Sequence, residues 1–299
     1  MSLGQIKANL NSVRIYKHAF KNYIHVLYEI RYRTNKNVKV ILKDGRKFLV
    51  SRYFVSAYAA IKFSNNPDIS EVNIIKNKLT FVYKGNQLSF DVKGGGDFAG
   101  CFLSEDYKFL NVKDEVVIDV GMNIGDSSIY FALNGATKVI GLEPYLYPFT
   151  FAKKNIEECN LAAKIEFLNA GYGKDGEIIV DENRITDGGT NLVGSETGKK
   201  VRIFSLKTLV SEYNIVEAVL KMDCEGCEYN LLDEGSNVLR KFKRIQIEYH
   251  YGYEKLVNKL RDCNFDVEFT LPKKSYVKSY VALNSNPDVN IGYIYAVRQ

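Results

Sequence analysis

The stretch KMDCEGCEY, Lys221 to Tyr229, sets Cys224 and Cys227 at CxxC spacing among Asp223, Glu225 and Glu228. A metal clip, a redox dithiol and an acidic catalytic turn all fit such a set. A zinc site normally takes four ligands, and neither a second CxxC nor a nearby histidine pair is present. A redox dithiol belongs in a thioredoxin-like setting, which this is not. The cysteines therefore read as incidental, and no metal-binding set is assigned. Asp223 and Glu225 remain as candidate proton acceptors, with Gly226 allowing the turn. His250, in EYHYGYE, is a third catalytic candidate, because an imidazole can take a proton near neutral pH. The alternative is a histidine packed on Tyr249 or Tyr251.

A second cluster lies in VVIDVGMNIGDSSIYFALNG. A strand runs through Gly121, Asn123 and Gly125 into a helix that Asp126 or Ser127 can cap. Glycines let the backbone approach a ligand, and a helix N-terminus offers free amides. Asp119 is expected as a fixed anion able to orient a cationic amine. The loop lacks a Lys-Ser/Thr ending, which argues against a P-loop NTPase. About 20 residues on, Glu143 and Pro144 end a second strand, where a carboxylate can accept both hydroxyls of a ribose. Asn169 and Ala170 end a third, where a small residue and an amide can border an adenine ring. Singly, each has a plainer role as loop cap, solvated strand end or turn former. Together, at three successive strand ends, they converge on the crevice where such sheets bind ligands, and they imply a nucleoside.

These residues need a sheet to position them. From residue 114 onward, strands alternate with helices: 116–121, 138–143, 164–170, 218–223 and 244–249, then 266–271 and 292–298. The last two are joined without a crossover helix and are expected to pair antiparallel, giving a seven-stranded α/β sheet. Before it, residues 5–32 carry apolar positions at helical spacing. Two hairpin signals follow, VKVILKDGRKFLVS around Asp44-Gly45 and LTFVYKGNQLSFDV around Lys84-Gly85-Asn86. These elements, closed by the run Gly94 to Gly96, describe a small N-terminal α+β module over 1–110 and a second domain over 111–299. The loop ITDGGTNLVGSETGKK, between the third and fourth strands, is either an acceptor lid or a long excursion.

DVGMNIGDSSIYFA, GLEP, KMDCEGCEYNLL and IQIEYH together resemble the FkbM family of S-adenosylmethionine-dependent methyltransferases over roughly residues 100–298. The resemblance implies the class I methyltransferase (Rossmann-like) fold, with strand order 3-2-1-4-5-7-6 and the last strand antiparallel. It implies S-adenosylmethionine as cofactor and methyl transfer usually to an oxygen. The family's glycine turn falls on Asp119, Gly121, Asn123 and Gly125, its ribose acid on Glu143 and its adenine-side position on Asn169 and Ala170. Its Asp-x-Glu-Gly turn falls on Asp223, Glu225 and Gly226, and its Glu-x-His strand end on Glu248 and His250. Asp223 is expected to contact the cofactor's methionine part or the acceptor hydroxyl. Met122 and Cys227 stand where small residues are common.

Composition bounds the rest. The 299 residues are 46% hydrophobic and 25% charged, an ordinary globular balance. No apolar run is long enough to span a bilayer and no signal-peptide pattern is read, so a cytoplasmic location is expected. Five scattered cysteines suit a reducing compartment. The first 110 residues hold 18 Lys+Arg against 8 Asp+Glu, whereas the remainder is net acidic. The acceptor is expected to be a small molecule or glycan. Two alternatives stand beside it: an RNA methyltransferase using the basic module, against which no RNA-binding motif is found, and a non-catalytic nucleotide-binding scaffold whose N-terminal part assembles homo-oligomers.

Overall fold

A computed structural model describes residues 12–33, 37–93, 95–182, 192–274 and 290–299. Residues 5–11 of the expected first helix, Gly94, and parts of two expected loops, 185–191 and 275–289, lie outside the described residues. The chain forms two compact units, Met1–Glu105 and Asp106–Gln299.

In the N-terminal unit, residues 12–19 form helix α1 and Tyr23–Tyr32 form α2. The single helix expected over 5–32 is thus interrupted, and the reason is tertiary. Lys21 N–H donates to the Ile41 carbonyl (2.7 Å), while the Asn22 side chain donates to the Lys39 carbonyl (2.9 Å) and accepts from Ile41 N–H (2.8 Å). These bonds fasten the break to β1 (Asn37–Ile41), which pairs antiparallel with β2 (Lys47–Ser51) across the Asp44-Gly45 turn. Ser51 then caps α3 (Arg52–Phe63), its hydroxyl accepting from Phe54 N–H at 3.2 Å. Neither α3 nor β3 (Ile69–Ile75) is marked in the sequence pattern. β3, β4 (Lys78–Tyr83) and β5 (Asn86–Phe90) form an antiparallel meander. Phe81, Phe90, Phe98 and Phe102 are buried in this unit. Phe90 and Phe98 meet edge to face at 4.8 Å, as ring quadrupoles prefer.

The C-terminal unit runs β6 (Val116–Val120), α4 (Asp126–Leu133), β7 (Lys138–Leu142), α5 (Leu146–Glu158), β8 (Ile165–Leu168), β9 (Ala170–Tyr172), β10 (Gly176–Val180), β11 (Lys199–Phe204) and α6 (Leu206–Glu212). It continues with β12 (Ala218–Met222), α7 (Ser236–Leu239), β13 (Phe242–Tyr249), α8 (Glu254–Asp262), β14 (Phe265–Phe269), β15 (Lys273–Lys274) and β16 (Asn290–Arg298). The principal sheet has the order β8-β7-β6-β12-β13-β16-β14, which in chain order of its seven strands is 3-2-1-4-5-7-6. Strand β16 is antiparallel to both neighbours, and β15 adds a short pairing to it. This is the class I methyltransferase arrangement. VVIDV, KVIGL and AVLKM are nearly continuous apolar runs, as strands covered on both faces require. Ile118, Leu220, Ile245, Ile247 and Ile294 share its core.

Two details differ from the expectation drawn from sequence. The third strand ends at Leu168, and Ala170 opens a separate three-stranded sheet in the order β10-β11-β9. The segment between the third and fourth strands is therefore partly a built sheet, not only loop. Strand β11 runs parallel to β9 and antiparallel to β10. No described helix is long and apolar enough to cross a membrane.

Candidate functional site

The turn after β6 is fixed by its neighbours on both sides. Gly121 and Met122 both donate to the Leu142 carbonyl at 3.0 Å, and Asp223 N–H donates to the Val120 carbonyl at 3.1 Å. Gly121 has φ +82°, and a Cβ there would sit 1.9 Å from the Asp223 carbonyl oxygen. Glycine is required at this point, because any side chain would drive apart the ends of β6 and β12. Asn123 and Gly125 also lie in the left-handed region, at φ 47° and 85°. The N-cap of α4 is Gly125, without a side-chain capping bond. The expectation that Asp126 or Ser127 caps the helix is corrected accordingly. Ser127 instead donates to Asp119 Oδ2 at 2.7 Å, beside Ser128 at 2.6 Å.

Asp119 itself is fully buried, and Lys221 Nζ lies 3.1 Å from its Oδ1. The two residues are register partners on adjacent strands. Lys221 Nζ also donates to the Gly121 carbonyl at 2.8 Å. Sequence alone presents Asp119 as an anion awaiting a ligand's amine, but the chain supplies the cation itself. Lys221 is a residue that sequence reasoning misses. Its signal is one basic residue inside the apolar run AVLKM, matched by one acidic residue at the corresponding depth of VVIDV.

On the β7 side, Glu143 is buried, with Tyr145 N–H donating to its Oε1 at 2.9 Å. Burial raises its carboxyl to about 7, and the backbone N–H groups of Tyr145 and Asn123 only partly offset this. Further hydroxyl donors would relieve that deficit, so the residue fits the ribose of a nucleoside. The Asn169 amide holds the strand end in place, donating to the carbonyls of Glu143 (3.0 Å) and Pro144 (2.9 Å). Its oxygen accepts from Lys199 Nζ at 3.1 Å. Ala170 follows, buried, at the start of β9.

A different environment lies beyond β12 and β13. One ligand atom each from Asp223, Glu225 and His250 lies within 4.8 Å of the other two. His250 is buried; its Nδ1 lies 3.0 Å from Glu228 Oε1, which also accepts the His250 backbone N–H at 3.1 Å. Glu228 Oε2 accepts from Gly226 N–H at 2.8 Å. Glu228 is fully buried, and in the sequence it is only one more acid beside the cysteines. On the other edge of the imidazole, Glu225 Oε2 is 3.0 Å from Nε2 and Glu248 Oε1 is 3.8 Å away. Burial lowers the His250 pKa, but the flanking Glu225 and Glu228 outweigh it and raise it to about 11. The expectation of an imidazole poised near neutrality is corrected by these two acids. Burial, reinforced by the charge of Asp223, raises Glu248 to about 8.

The turn carrying Glu225 is itself unusual, with Glu225 at φ 56° and Gly226 at φ 115°. It brings the α-carbons of Cys224 and Cys227 to 5.4 Å, and the two form a disulfide. The incidental reading of this pair is corrected to that extent; Cys101, Cys159 and Cys263 are free and buried. Tyr229 steadies the opposite loop, its hydroxyl donating to the Gly252 carbonyl (2.7 Å) and accepting from Tyr251 N–H (2.8 Å).

The family model described as Methyltransferase FkbM domain matches residues 119–267. Uncharacterized protein 158B of Sulfolobus islandicus rod-shaped virus 1 is 31% identical over 155 residues, covering 52% of this chain and 73% of that protein. Hexuronic acid methyltransferase AglP of Haloferax volcanii is 24% identical over 197 residues, covering 62% of this chain and 79% of that protein. Among solved structures, M. jannaschii TYW2 in complex with AdoMet has a TM-score of 0.39 at 16% identity, covering 77% of this chain and 90% of that chain. M. capricolum TrmK in complex with S-adenosyl-homocysteine has a TM-score of 0.38 at 12% identity, covering 64% of this chain and 67% of that chain. The fold assignment rests on strand order and direction, not on these low scores. The family match runs from the acid of the glycine turn into the sixth strand of the sheet, and the chain belongs to the FkbM family of S-adenosylmethionine-dependent methyltransferases.

Proposed function

We propose that this methyltransferase acts on a hydroxyl oxygen of a carbohydrate, glycolipid or other small natural product. The observation that carries the reading is the acid-rich end of β12 and β13, where Asp223, Glu225 and His250 gather next to the glycine turn of β6. A hydroxyl acceptor must be aligned and must lose a proton as it reacts, and carboxylates at this position can do both. The 24% identical relative named as a hexuronic acid methyltransferase supports a sugar-like acceptor.

In this reading Glu143 accepts the ribose hydroxyls, while the backbone of Gly121, Asn123 and Gly125 borders the cofactor with Asp126 and Ser127 behind it. Pro144, Asn169 and Ala170 border the base. Asp119 and Lys221 hold the turn in shape from within. The cofactor, when bound, supplies an electrophilic methyl carbon. Asp223 stands between the two halves of the site and takes the proton of the acceptor hydroxyl. Glu225 aligns that hydroxyl, and Glu228 fixes the ring of His250. The basic N-terminal module, residues 1–110, has an accessory role in acceptor choice or self-association.

Transfer of a labelled methyl group from S-adenosylmethionine into a cell extract, with mass spectrometry of the product, tests this reading. Label on a carbohydrate oxygen supports it. Label on a nitrogen or in RNA, or cofactor binding without transfer to any acceptor, would replace it.

A further inference from the structure

The groups at the ends of β12 and β13 are arranged as a cation site. Four carboxylates, Asp223, Glu225, Glu228 and Glu248, surround one imidazole. Among the described residues, no lysine or arginine forms an ion pair with any of the four. The acids of the β6 turn differ: Asp119 is matched by Lys221. The excess negative charge is concentrated on the side where Nε2 of His250 points.

The second observation is that nitrogen. His250 is 1% exposed, yet its Nε2 has no aligned hydrogen-bond partner, because Glu225 Oε2 lies 3.0 Å away but off the line of the ring N–H. A buried polar atom left without an aligned partner is unusual in a folded protein. The opposite nitrogen is fully committed, since Nδ1 meets Glu228 Oε1, and Glu228 is in turn anchored by the N–H groups of His250 and Gly226. A carboxylate on one ring nitrogen that orients the other toward a cation is the usual supporting arrangement of a histidine ligand.

We propose that Asp223, Glu225 and His250 Nε2 bind a divalent first-row transition cation, with Glu228 as the positioning residue for the imidazole. Two carboxylate oxygens and one imidazole nitrogen suit Mn²⁺, Fe²⁺ or Zn²⁺ and leave further coordination positions open. The cation takes the place of a proton at Nε2, and small movements of the partly exposed Asp223 and Glu225 side chains close their present separation. The use of this site rests on the hydroxyl-acceptor reading above: the open positions hold two adjacent oxygens of the acceptor, as in a vicinal diol or a hydroxy acid.

The test is Mn²⁺ binding to the full chain after chelator treatment, read by loss of the free-ion electron paramagnetic resonance signal. One bound Mn²⁺ per chain is expected, with a rise in melting temperature. Asp223→Asn and Glu225→Gln, both at partly exposed positions, should each weaken binding at least about 10-fold, and Glu228→Gln about 10- to 100-fold through the imidazole. Circular dichroism confirms that each variant is folded. No binding by the unsubstituted protein, or equal binding by folded Asp223→Asn and Glu225→Gln, overturns the proposal. S-adenosylhomocysteine is titrated into the same samples. Cofactor binding without Mn²⁺ binding sinks the cation site alone, whereas failure of both extends to the methyl-transfer reading.

Discussion

The ends of β6 and β12 lie side by side, yet they handle buried acid in opposite ways. Beneath the glycine turn, Asp119 accepts two hydroxyls at Oδ2 and has one ammonium 3.1 Å from Oδ1, so its charge is paired inside the chain although Oδ1 makes no aligned hydrogen bond. Beyond β12 and β13, several carboxylates crowd one histidine, and no lysine or arginine among the described residues offsets them. The first arrangement gives a rigid scaffold. The second leaves groups in need of a proton, a cation or a substrate hydroxyl, and that need is what chemistry can use.

The largest expected effect comes from unbalancing the scaffold. Lys221→Met leaves Asp119 buried and unpaired, and should cost about 3–5 kcal/mol in denaturant unfolding. Adding Asp119→Asn should restore part of that loss, whereas no recovery would mean that Lys221 acts mainly through the Gly121 carbonyl. On the acid-rich side the pattern should reverse. Asp223→Asn should lower kcat about 10²- to 10⁴-fold, while thermal unfolding shifts by no more than about 1 kcal/mol.

Glu143 lies between these extremes. On the proposed reading Glu143→Gln removes an acceptor for two ribose hydroxyls, and it should then weaken cofactor binding by about 1.5–3 kcal/mol in calorimetry. Its pH dependence has a defined sign. The folded-state pKa of about 7 lies above the ordinary value of 4.5. The folded protein therefore holds more proton than the unfolded chain between these values, and stability falls as pH rises through that window. The residue's share of that fall is at most about 3 kcal/mol, and it should vanish in Glu143→Gln when melting is compared at the two ends of the window. Cofactor binding, which favours the carboxylate, should release a proton and strengthen toward neutral pH. The smallest effect belongs to the cysteines. Replacing Cys224 and Cys227 together by alanine should cost no more than about 2 kcal/mol of stability and leave methyl transfer largely intact; a loss of activity without loss of folding would give the disulfide a part in aiming Glu225.

The sheet was legible because VVIDV, KVIGL and AVLKM are nearly continuous apolar runs, and distinctive polar residues stand at or just beyond the ends of its parallel strands. The three-stranded insertion was not, since β9 is only Ala170-Gly171-Tyr172 and has too few residues to show a period. The break between α1 and α2 was hidden because it is made by Asn22 bonding to β1, a contact far along the chain. In the site, Glu143 and Asp223 could be read from their places at strand ends. Lys221 and Glu228 could not be given partners until strand register and the Gly226 turn brought them to Asp119 and His250. Residue type announced the acids; only the fold said which were already neutralised.

The most direct test of this division is one pair of titrations with S-adenosylmethionine, on Glu143→Gln and on Glu225→Gln, each followed by labelled-methyl transfer. The account predicts that Glu143→Gln binds the cofactor weakly, and that Glu225→Gln binds it within about 2-fold of the unsubstituted protein but transfers little label. Weak cofactor binding by Glu225→Gln together with unchanged binding by Glu143→Gln would contradict it.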